Sequence, residues 1–299
     1  MKKIRYIIRM LPVLACALAL ASCDNDECTA TGSGGTPLEF RAVIGDTPEA
    51  RPRSTVDNSF MEDDRIFIDL NSANEPKEYK YHDGRFVAAD PDMAWYPDGT
   101  PAVKAIYPAG YSDILTSNSV NYEVSADQTE DGYEDADVLY ACDISFDPQN
   151  STLQFQHVMA KIVVNIRQGG YTGDADISGV TLSRLYSQTT LTFNDLSVET
   201  QGQSGNTDIQ AHKSASPAGG MVATFEALVI PGQTISKGTP FATIKVDGSY
   251  KDFTYALDKD ITFAQGTRYT FNLMLTSEQT VTVGGIEVGG WGSGGTYDL

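Results

Sequence analysis

The sequence predicts an all-β fold made of two antiparallel β-sandwiches. Short runs of alternating apolar and polar residues recur along the chain, and turns rich in glycine, proline and aspartate separate them. Sustained helical periodicity is hard to find, whereas tyrosine and threonine, which favour strands, are plentiful. At 299 residues the chain is long for one sandwich and comfortable for two.

The N-terminus has the pattern of a lipoprotein signal. Four cations in residues 1–10 precede an apolar run too short to span a bilayer, which is typical of a signal peptide. The run ends in Leu-Ala-Ser-Cys, which resembles a bacterial lipobox, so we predict that Cys23 is lipidated. This gives a lipoprotein signal peptide at 1–22 and a lipidated flexible tether at 23–37. The alternative is an ordinary secretory signal in which the cysteine is incidental.

Alternation defines the strands of the first half. Residues 38–44, LEFRAVI, read as a half-buried strand, and DRIFIDL at 64–70 reads as a second. KEYKYHDGRFVAA at 77–89 predicts a hairpin that turns at Asp83-Gly84, a pair whose backbone favours tight reversal.

The stretch LQFQHVMAKIVVNI at 153–166 changes face. Leu153 and Phe155 occupy odd positions, but the aliphatic residues from Val158 to Ile166 occupy even ones. Because the side-chain period of a strand is two, one slip turns every later side chain to the opposite face. We interpret the slip as a bend at Gln156-His157 that passes the chain from one sheet to another. For His157 a packed or hydrogen-bonded structural role is favoured over a ligand role.

The second half repeats the strand pattern. Residues 201–220 are polar and glycine-rich and are predicted to be a surface loop, whereas 241–257 predict a hairpin around Asp247-Gly248. GTRYTFNLML at 266–275 predicts a further strand with one aromatic and aliphatic face. The two blocks part near a turn at Asp147-Pro148, which gives an N-terminal sandwich at 38–150 and a C-terminal sandwich at 151–299.

Charge and cysteine content exclude several function classes. With 21 basic and 40 acidic residues the net charge is −19, which makes nucleic acid an implausible partner. Cys28 and Cys142, the two cysteines outside the export signal, are too few for a zinc site or a disulfide framework. A single bridge between them is the alternative to two free thiols.

No metal, cofactor or catalytic site is predicted. The acidic stretch 125–141 does not match an EF-hand, because Thr129 stands where an acidic ligand is required and Val138 where a bidentate Glu is required. A solvated acidic loop is favoured over a looser calcium site. The three histidines are far apart, and the nucleophile, zinc-protease and phosphate-loop motifs are missing, so the chain is not expected to be an enzyme. Trp95 and Tyr96 could stack on sugars, but a core position at a strand end is favoured.

Several stretches in order resemble the fimbrillin family, the subunits of type V pili of Bacteroidales. The stretches that carry the resemblance are the lipobox ending at Cys23, LEFRAVI followed by ARPRST, AWYPDGTPAVKAIYPAG, LQFQHVMAKIVVNI, ALVIPGQT and the closing GTRYTFNLMLTSEQTVTVGGIEVGGW. The resemblance implies two tandem transthyretin-like β-sandwich domains, export as a lipoprotein and assembly into surface fimbriae.

The resemblance also implies proteolytic processing and donor-strand exchange. The strand at 38–44 would be removed by a trypsin-like cut between Arg53 and Ser54, since Arg51 precedes a proline and such bonds resist cleavage. A strand from another subunit would then fill the groove. The alternative is that these arginines are simply loop charges. Because the end of the chain is polar and glycine-rich, the donor would be the region from Val281 to Val288.

The expected function is therefore a non-enzymatic structural subunit of fimbriae on the surface of the outer membrane. Its partners would be other fimbrial subunits, in a homo- or hetero-polymer, and the outer membrane through the lipid before processing. The alternative is a lipid-anchored surface adhesin, or a pilus tip or anchor subunit, that binds a host or glycan ligand, so a host or bacterial surface ligand is a further possible partner. A glycan-active surface enzyme is a distant third.

Overall fold

A computed structural model describes most of the chain beyond residue 36. The described residues are 37–45, 54–70, 75–95, 102–144, 146–171, 176–194, 196–249, 252–276, 280–291 and 296–298. The predicted signal peptide, most of the tether, Cys23, Cys28, Arg53 and Tyr96 lie outside these ranges.

The described residues are mostly strands, as the composition predicts. In chain order the strands are β1 (Arg41–Ile44), β2 (Arg65–Leu70), β3 (Lys77–His82), β4 (Arg85–Ala88), β5 (Val103–Tyr107), β6 (Ser119–Glu123), β7 (Leu139–Asp143), β8 (Thr152–His157), β9 (Ala160–Gln168), β10 (Ile177–Leu185), β11 (Gln188–Phe193), β12 (Val198–Ser204), β13 (Thr207–Gln210), β14 (His212–Lys213), β15 (Ala223–Val229), β16 (Thr234–Ile235), β17 (Pro240–Val246), β18 (Phe253–Ala256), β19 (Ile261–Thr262), β20 (Thr267–Leu275), β21 (Val281–Gly290) and β22 (Thr296–Asp298).

Helices are short. Two α-helices, α1 (Asp113–Ser117) and α2 (Asp131–Asp135), each make little more than one turn, and short 3₁₀ helices lie at Thr55–Asp57, Pro91–Met93, Ala109–Tyr111 and Pro148–Asn150. Within the described residues no helix is long and apolar enough to cross a membrane.

The strands form five sheets. A seven-stranded sheet has the order β1-β8-β7-β5-β2-β3-β4, and a six-stranded sheet has the order β14-β15-β9-β20-β21-β22. The smaller sheets are β13-β10-β17-β18, β12-β11-β6 and β16-β19. Pairing is antiparallel except at β1 with β8 and β9 with β20, which run parallel. The prediction of purely antiparallel sandwiches is wrong at these two pairs, because strands joined by long connections can pair in either direction.

Two hydrophobic cores accompany these sheets. The first, which we call the N-terminal core, contains side chains from Leu38 to Phe155 and lies on one face of the seven-stranded sheet. The second, the C-terminal core, contains most buried apolar residues from Val158 to Trp291, together with several from the first half such as Tyr122 and Val138. The sheets do not part at residue 150: β8 belongs to the sheet built from the first half, and β6 pairs with β11 of the second half.

The predicted change of sheet within 153–166 is confirmed. β8 ends at His157 in the seven-stranded sheet, and β9 begins at Ala160 in the six-stranded sheet. Leu153 and Phe155 are buried in the N-terminal core, whereas the aliphatic residues from Val158 onward are buried in the C-terminal core. The break lies at residues 158–159, two residues later than the predicted bend at 156–157.

The hairpin predictions are also confirmed. Asp83 and Gly84 have φ of 48° and 81°, which is the left-handed pair that a tight hairpin needs, and β3 pairs with β4 around them. β17 pairs with β18 around Gly248.

The predicted surface loop at 201–220 is wrong for its first half. β12, β13 and β14 occupy much of 198–213, and Ile209 and Ala211 are buried. These strands lie at sheet edges and expose most of their side chains, so polar residues fill them and the apolar alternation that reveals a strand is weak.

Candidate functional site

Residues 37–45, here called the edge segment, close the seven-stranded sheet by pairing with both of its ends. Its second half is β1, which lies parallel to β8 with Ile44 opposite Phe155. Its first half pairs with β4, where Phe40 N donates to Phe86 O at 3.0 Å and Phe86 N donates to Phe40 O at 2.8 Å. The segment therefore satisfies backbone groups on two strands that would otherwise be edges.

The edge segment also supplies side chains to the N-terminal core. Leu38, Phe40 and Ile44 are buried, and Phe40 and Ile44 retain at most 2% exposure. The Phe40 ring packs edge-on against Tyr79 at a centroid distance of 5.1 Å and lies 5.6 Å from the ring of Phe146. Burial of each such side chain is worth about 1.5–3 kcal/mol, so loss of the segment would expose an apolar groove as well as two strand edges.

Residues 54–60 follow the proposed cleavage point and are held in place. Ser54, Thr55, Val56 and Phe60 are buried, and Ser54 O accepts hydrogen bonds from the backbone N–H groups of residues 57 and 59. The sequence places Ser54 directly after the predicted cleavage point, but the local pattern of arginines does not predict its burial.

A buried polar cluster fixes this stretch to the rest of the molecule. The imidazole of His157 lies 2.9 Å from Asp137 Oδ1 through Nδ1 and 2.9 Å from Asn58 Oδ1 through Nε2. The ring of Trp291 stacks on that imidazole with a centroid distance of 3.5 Å and an interplanar angle of 6°. Trp291 Nε1 donates to Val56 O at 3.2 Å, so residues 56–58 and Trp291 meet at His157. This confirms the prediction that His157 is a packed, hydrogen-bonded residue.

Lys161 extends the cluster along β9. Its Nζ is buried, donates to Val56 O at 3.2 Å and lies 3.3 Å from Glu226 Oε2. Glu226 Oε2 also accepts a 2.6 Å hydrogen bond from the Tyr133 hydroxyl. A buried ammonium is costly unless it is paired in this way.

The electrostatics of Glu226 follow from these contacts. Burial alone would raise the pKa of its carboxyl, but the Lys161 ammonium and the Tyr133 hydroxyl outweigh burial and hold that pKa below its usual value. Burial and the Glu226 charge raise the pKa of the Tyr133 phenol well above its usual value. At neutral pH the pair is therefore an ionised carboxylate and a protonated phenol.

The acidic stretch at 125–141 is structured, contrary to the solvated loop that was favoured. It contains α2, and Tyr133, Asp137 and Val138 are buried. The described residues contain no group of three or more His, Cys, Asp or Glu side chains placed to hold a metal ion. Asp127 instead accepts hydrogen bonds from the backbone and hydroxyl of Thr129, at 3.0 and 2.6 Å.

The remaining predicted residues do not gather at one site. Trp95 is buried at 7% exposure and the Lys77 ammonium lies 4.2 Å from its ring centroid, which confirms the core position. Cys142 is half-buried. The members of the buried polar cluster other than His157 were missed from the sequence, because residues such as Asn58 and Lys161 resemble ordinary surface residues there.

The predicted donor region is an internal part of the six-stranded sheet. β21 pairs with β20 along nine residue pairs from Leu275↔Val281 to Thr267↔Gly290. Ile286 and Val288 are buried in the C-terminal core. In this structure Val281 to Val288 thus complete the chain's own sheet.

The fold and the site define an all-β protein whose seven-stranded sheet is closed by its own N-terminal segment. The chain belongs to the fimbrillin-like family, whose sequence model matches residues 53–291. The edge segment lies outside the matched residues.

Solved structures share the fold. A candidate cell adhesion protein from Bacteroides uniformis is 19% identical with a TM-score of 0.61, and the alignment covers 85% of this chain and 99% of that chain. A candidate cell adhesion protein from Bacteroides ovatus is 17% identical with a TM-score of 0.63, covering 87% of this chain and 99% of that chain. At these identities the likeness is one of fold. A comparison with curated proteins gives no significant match.

Proposed function

We propose that this chain is a non-enzymatic subunit of a surface fimbria that accepts a β-strand from another subunit in place of its own edge segment. Family membership supports the fimbrial role. The observation that carries the proposal is the double pairing of residues 37–45, which join β8 to β4 and fill the N-terminal core with Leu38, Phe40 and Ile44. Removal of the segment creates a groove with apolar pockets and two unpaired edges, which an incoming strand satisfies.

The buried polar cluster would hold residues 54–60 in place while the edge segment is removed. Five of residues 54–60 are buried, namely Ser54, Thr55, Val56, Asn58 and Phe60. Asn58 and Val56 are bonded to His157, Lys161 and Trp291. A cut between Arg53 and Ser54 would therefore free only the part of the chain before residue 54. Because Ser54 is buried, the protease needs a local opening of residues 54–56 before it can bind the chain around the bond.

The finer architecture in this proposal is a pair of transthyretin-like β-sandwich domains. The two hydrophobic cores support a division of this kind. The boundary fits better at residues 158–159, between β8 and β9, than at the predicted 150–151, since β8 pairs with β7.

Export completes the proposal. The signal peptide at 1–22 would direct the chain to lipidation at Cys23, and the tether at 23–37 would hold it at the outer membrane until processing. Incorporation of a labelled fatty acid tests this step. Cys23→Ala should lose the label, whereas Cys28→Ala should retain it.

A terminal position in the fimbria is the second candidate, and β21 favours it. A stalk subunit must both accept and donate a strand, but Val281 to Val288 are hydrogen-bonded along β20 and partly buried. A tip or anchor subunit, or a lipid-anchored surface adhesin, can retain this strand. The glycan-active enzyme has no specific observation in its favour.

Limited proteolysis tests the processing step. Brief treatment of the purified protein with trypsin is expected to cut once near residue 53 and to release the edge segment. Arg53→Ala should abolish this cut, and Arg51→Ala, whose arginine precedes a proline, should leave it unchanged. A stalk subunit then forms oligomer ladders, whereas a terminal subunit releases the segment without ladders. Equal cutting of both variants, or a segment that stays bound after the cut, would refute the proposal.

A further inference from the structure

An open groove of about 720 Å³ lies beside β10, β16 and the start of β17, away from the edge segment. Its walls come from three parts of the chain: the end of β10 with the residues that follow it, the turn between β12 and β13, and residues 233–240. The lining is mainly polar, with amide, hydroxyl and backbone groups from residues such as Asn206, Gln233 and Thr234.

The groove is cationic in an acidic protein. Arg184 and Lys237 line it, and no Asp or Glu among the described residues does, although acidic residues outnumber basic ones by 40 to 21 in the sequence. Two carboxylates lie at its margins: Asp208 lines a smaller neighbouring cavity, and Asp260 accepts a hydrogen bond from the backbone N–H of Lys237 at 2.7 Å. No hydrogen bond or ion pair to the Arg184 guanidinium or the Lys237 ammonium occurs within the described residues.

The backbone at Arg184 is unusual. Its φ is +70°, in the left-handed region that disfavours a side chain with a Cβ, and the register with β13 shifts between Leu182 and Leu185. Such a bulge re-aims side chains, and here the exposed Arg184 lines both the groove and the cavity next to it. Glycine would adopt this backbone conformation without strain, so backbone strain alone favours glycine over arginine at position 184.

Tyr186 gives the groove one aromatic wall. It is half-buried against the C-terminal core, and its backbone N–H donates to Gln233 Oε1 at 3.0 Å. Gln233 is itself buried and donates through Nε2 to Ile230 O at 2.7 Å. This wall is therefore held in place before any ligand arrives.

We propose that this groove binds an acidic saccharide, with Arg184 and Lys237 contacting its carboxylate or sulfate. A wide, solvent-open groove lined by hydroxyl and amide groups suits a ligand that keeps many of its hydroxyls in water. Two cations without a partner among the described residues suit an anionic group. An apolar ligand would leave the charges uncompensated. The inference goes beyond the proposed function and does not depend on strand exchange, since the groove shares no lining residue with the edge segment.

Binding measurements on the intact chain test the proposal. Calorimetric titration with a hyaluronan hexasaccharide supplies a carboxylate, a sulfated chondroitin hexasaccharide supplies a sulfate, and a neutral chitin hexasaccharide is the uncharged probe. At least one acidic probe should bind, more weakly as salt is raised, and the neutral probe should bind at least about tenfold more weakly. The acidic probe that binds identifies the anionic group.

Matched variants locate the site. Arg184→Gly removes the cation and relieves the backbone, so it should lower affinity about tenfold or more while the melting temperature stays equal or rises. Lys237→Gln should also weaken binding. Lys245→Gln, at an exposed position of β17 outside the groove, loses the same charge and should leave affinity unchanged. The proposal would be overturned if neither acidic probe bound, or if the neutral probe bound equally well. It would also be overturned if Lys245→Gln lost as much affinity as the groove variants, or if the groove bound an acidic peptide in preference to the saccharides.

Discussion

Phe40 packs the edge segment into the N-terminal core. It is fully buried among aromatic rings, whereas Val43 in the same segment is 38% exposed. Phe40→Ala should lower the free energy of unfolding by about 3 kcal/mol, since it removes a buried ring and leaves a cavity. Val43→Ala is the matched control and should have a much smaller effect in urea denaturation. Equal effects would contradict the packing described for this segment.

The contact between His157 and Asp137 can be isolated by a double-mutant cycle. Both side chains are at most 1% exposed and lie 2.9 Å apart, so removal of either partner leaves the other buried without its bond. His157→Ala alone should destabilise the protein by about 3 kcal/mol, and the cycle with Asp137→Ala should give a coupling energy of about 1–3 kcal/mol.

The exposed pair of His82 and Glu62 provides the control for that cycle. Its atoms lie 3.1 Å apart, but both side chains are more than half exposed. Its cycle should show no measurable coupling, because solvent screens such pairs. Similar coupling in the two cycles would mean that burial does not strengthen the His157 contact.

Glu226 should make part of the stability sensitive to acid. Its pKa in the folded chain lies below the ordinary value of 4.5, so its contribution is complete above pH 4.5 and is lost as the pH falls through the lower, folded-state pKa. Glu226→Gln should therefore be less stable than wild type at neutral pH, and the difference should shrink with acidification. Urea denaturation along a pH series measures this, with the exposed Glu123→Gln as control. A stability difference between wild type and Glu226→Gln that stays constant with pH would contradict the lowered pKa of Glu226.

At the level of elements, sequence patterns succeed where one face of a strand is buried. The hairpin at Asp83-Gly84 and the face formed by Tyr269, Phe271 and Leu273 appear as predicted, because turn chemistry and side-chain alternation are local. The edge strands β12 to β14 were missed, since they expose most side chains and carry few apolar residues. The parallel pairing of β1 with β8 was also missed, because it joins residues more than 100 positions apart.

Truncation distinguishes β21 from a releasable donor strand. Removal of residues 292–299 deletes β22, which pairs with only three residues of β21, and should lower the melting temperature slightly. Removal of residues 281–299 also deletes Ile286, Val288 and Trp291 and should abolish cooperative unfolding of the C-terminal core. If the longer truncation melted like the shorter one, β21 would be free to leave its sheet.

At the level of the whole molecule, the candidate site is assembled from distant parts of the chain. Asn58 meets His157 across 99 positions, and Trp291 meets Val56 across 235. The alternation of residues 38–44 predicts a strand, and the family resemblance implies a cut between Arg53 and Ser54, but a single sequence carries no signal for contacts at these separations. The buried polar cluster therefore required the structure.

Hydrogen exchange at the Phe86 amide tests whether the edge segment is a replaceable strand. In the intact chain this N–H donates to Phe40 O at 2.8 Å and should be protected. After cleavage at residue 53 and removal of the fragment, protection should be lost, and a synthetic peptide with the sequence of residues 37–53 should restore it. The same peptide with Phe40→Asp should not. If the Phe86 amide stays protected without the fragment, or if neither peptide changes its exchange, the edge segment is not a replaceable strand.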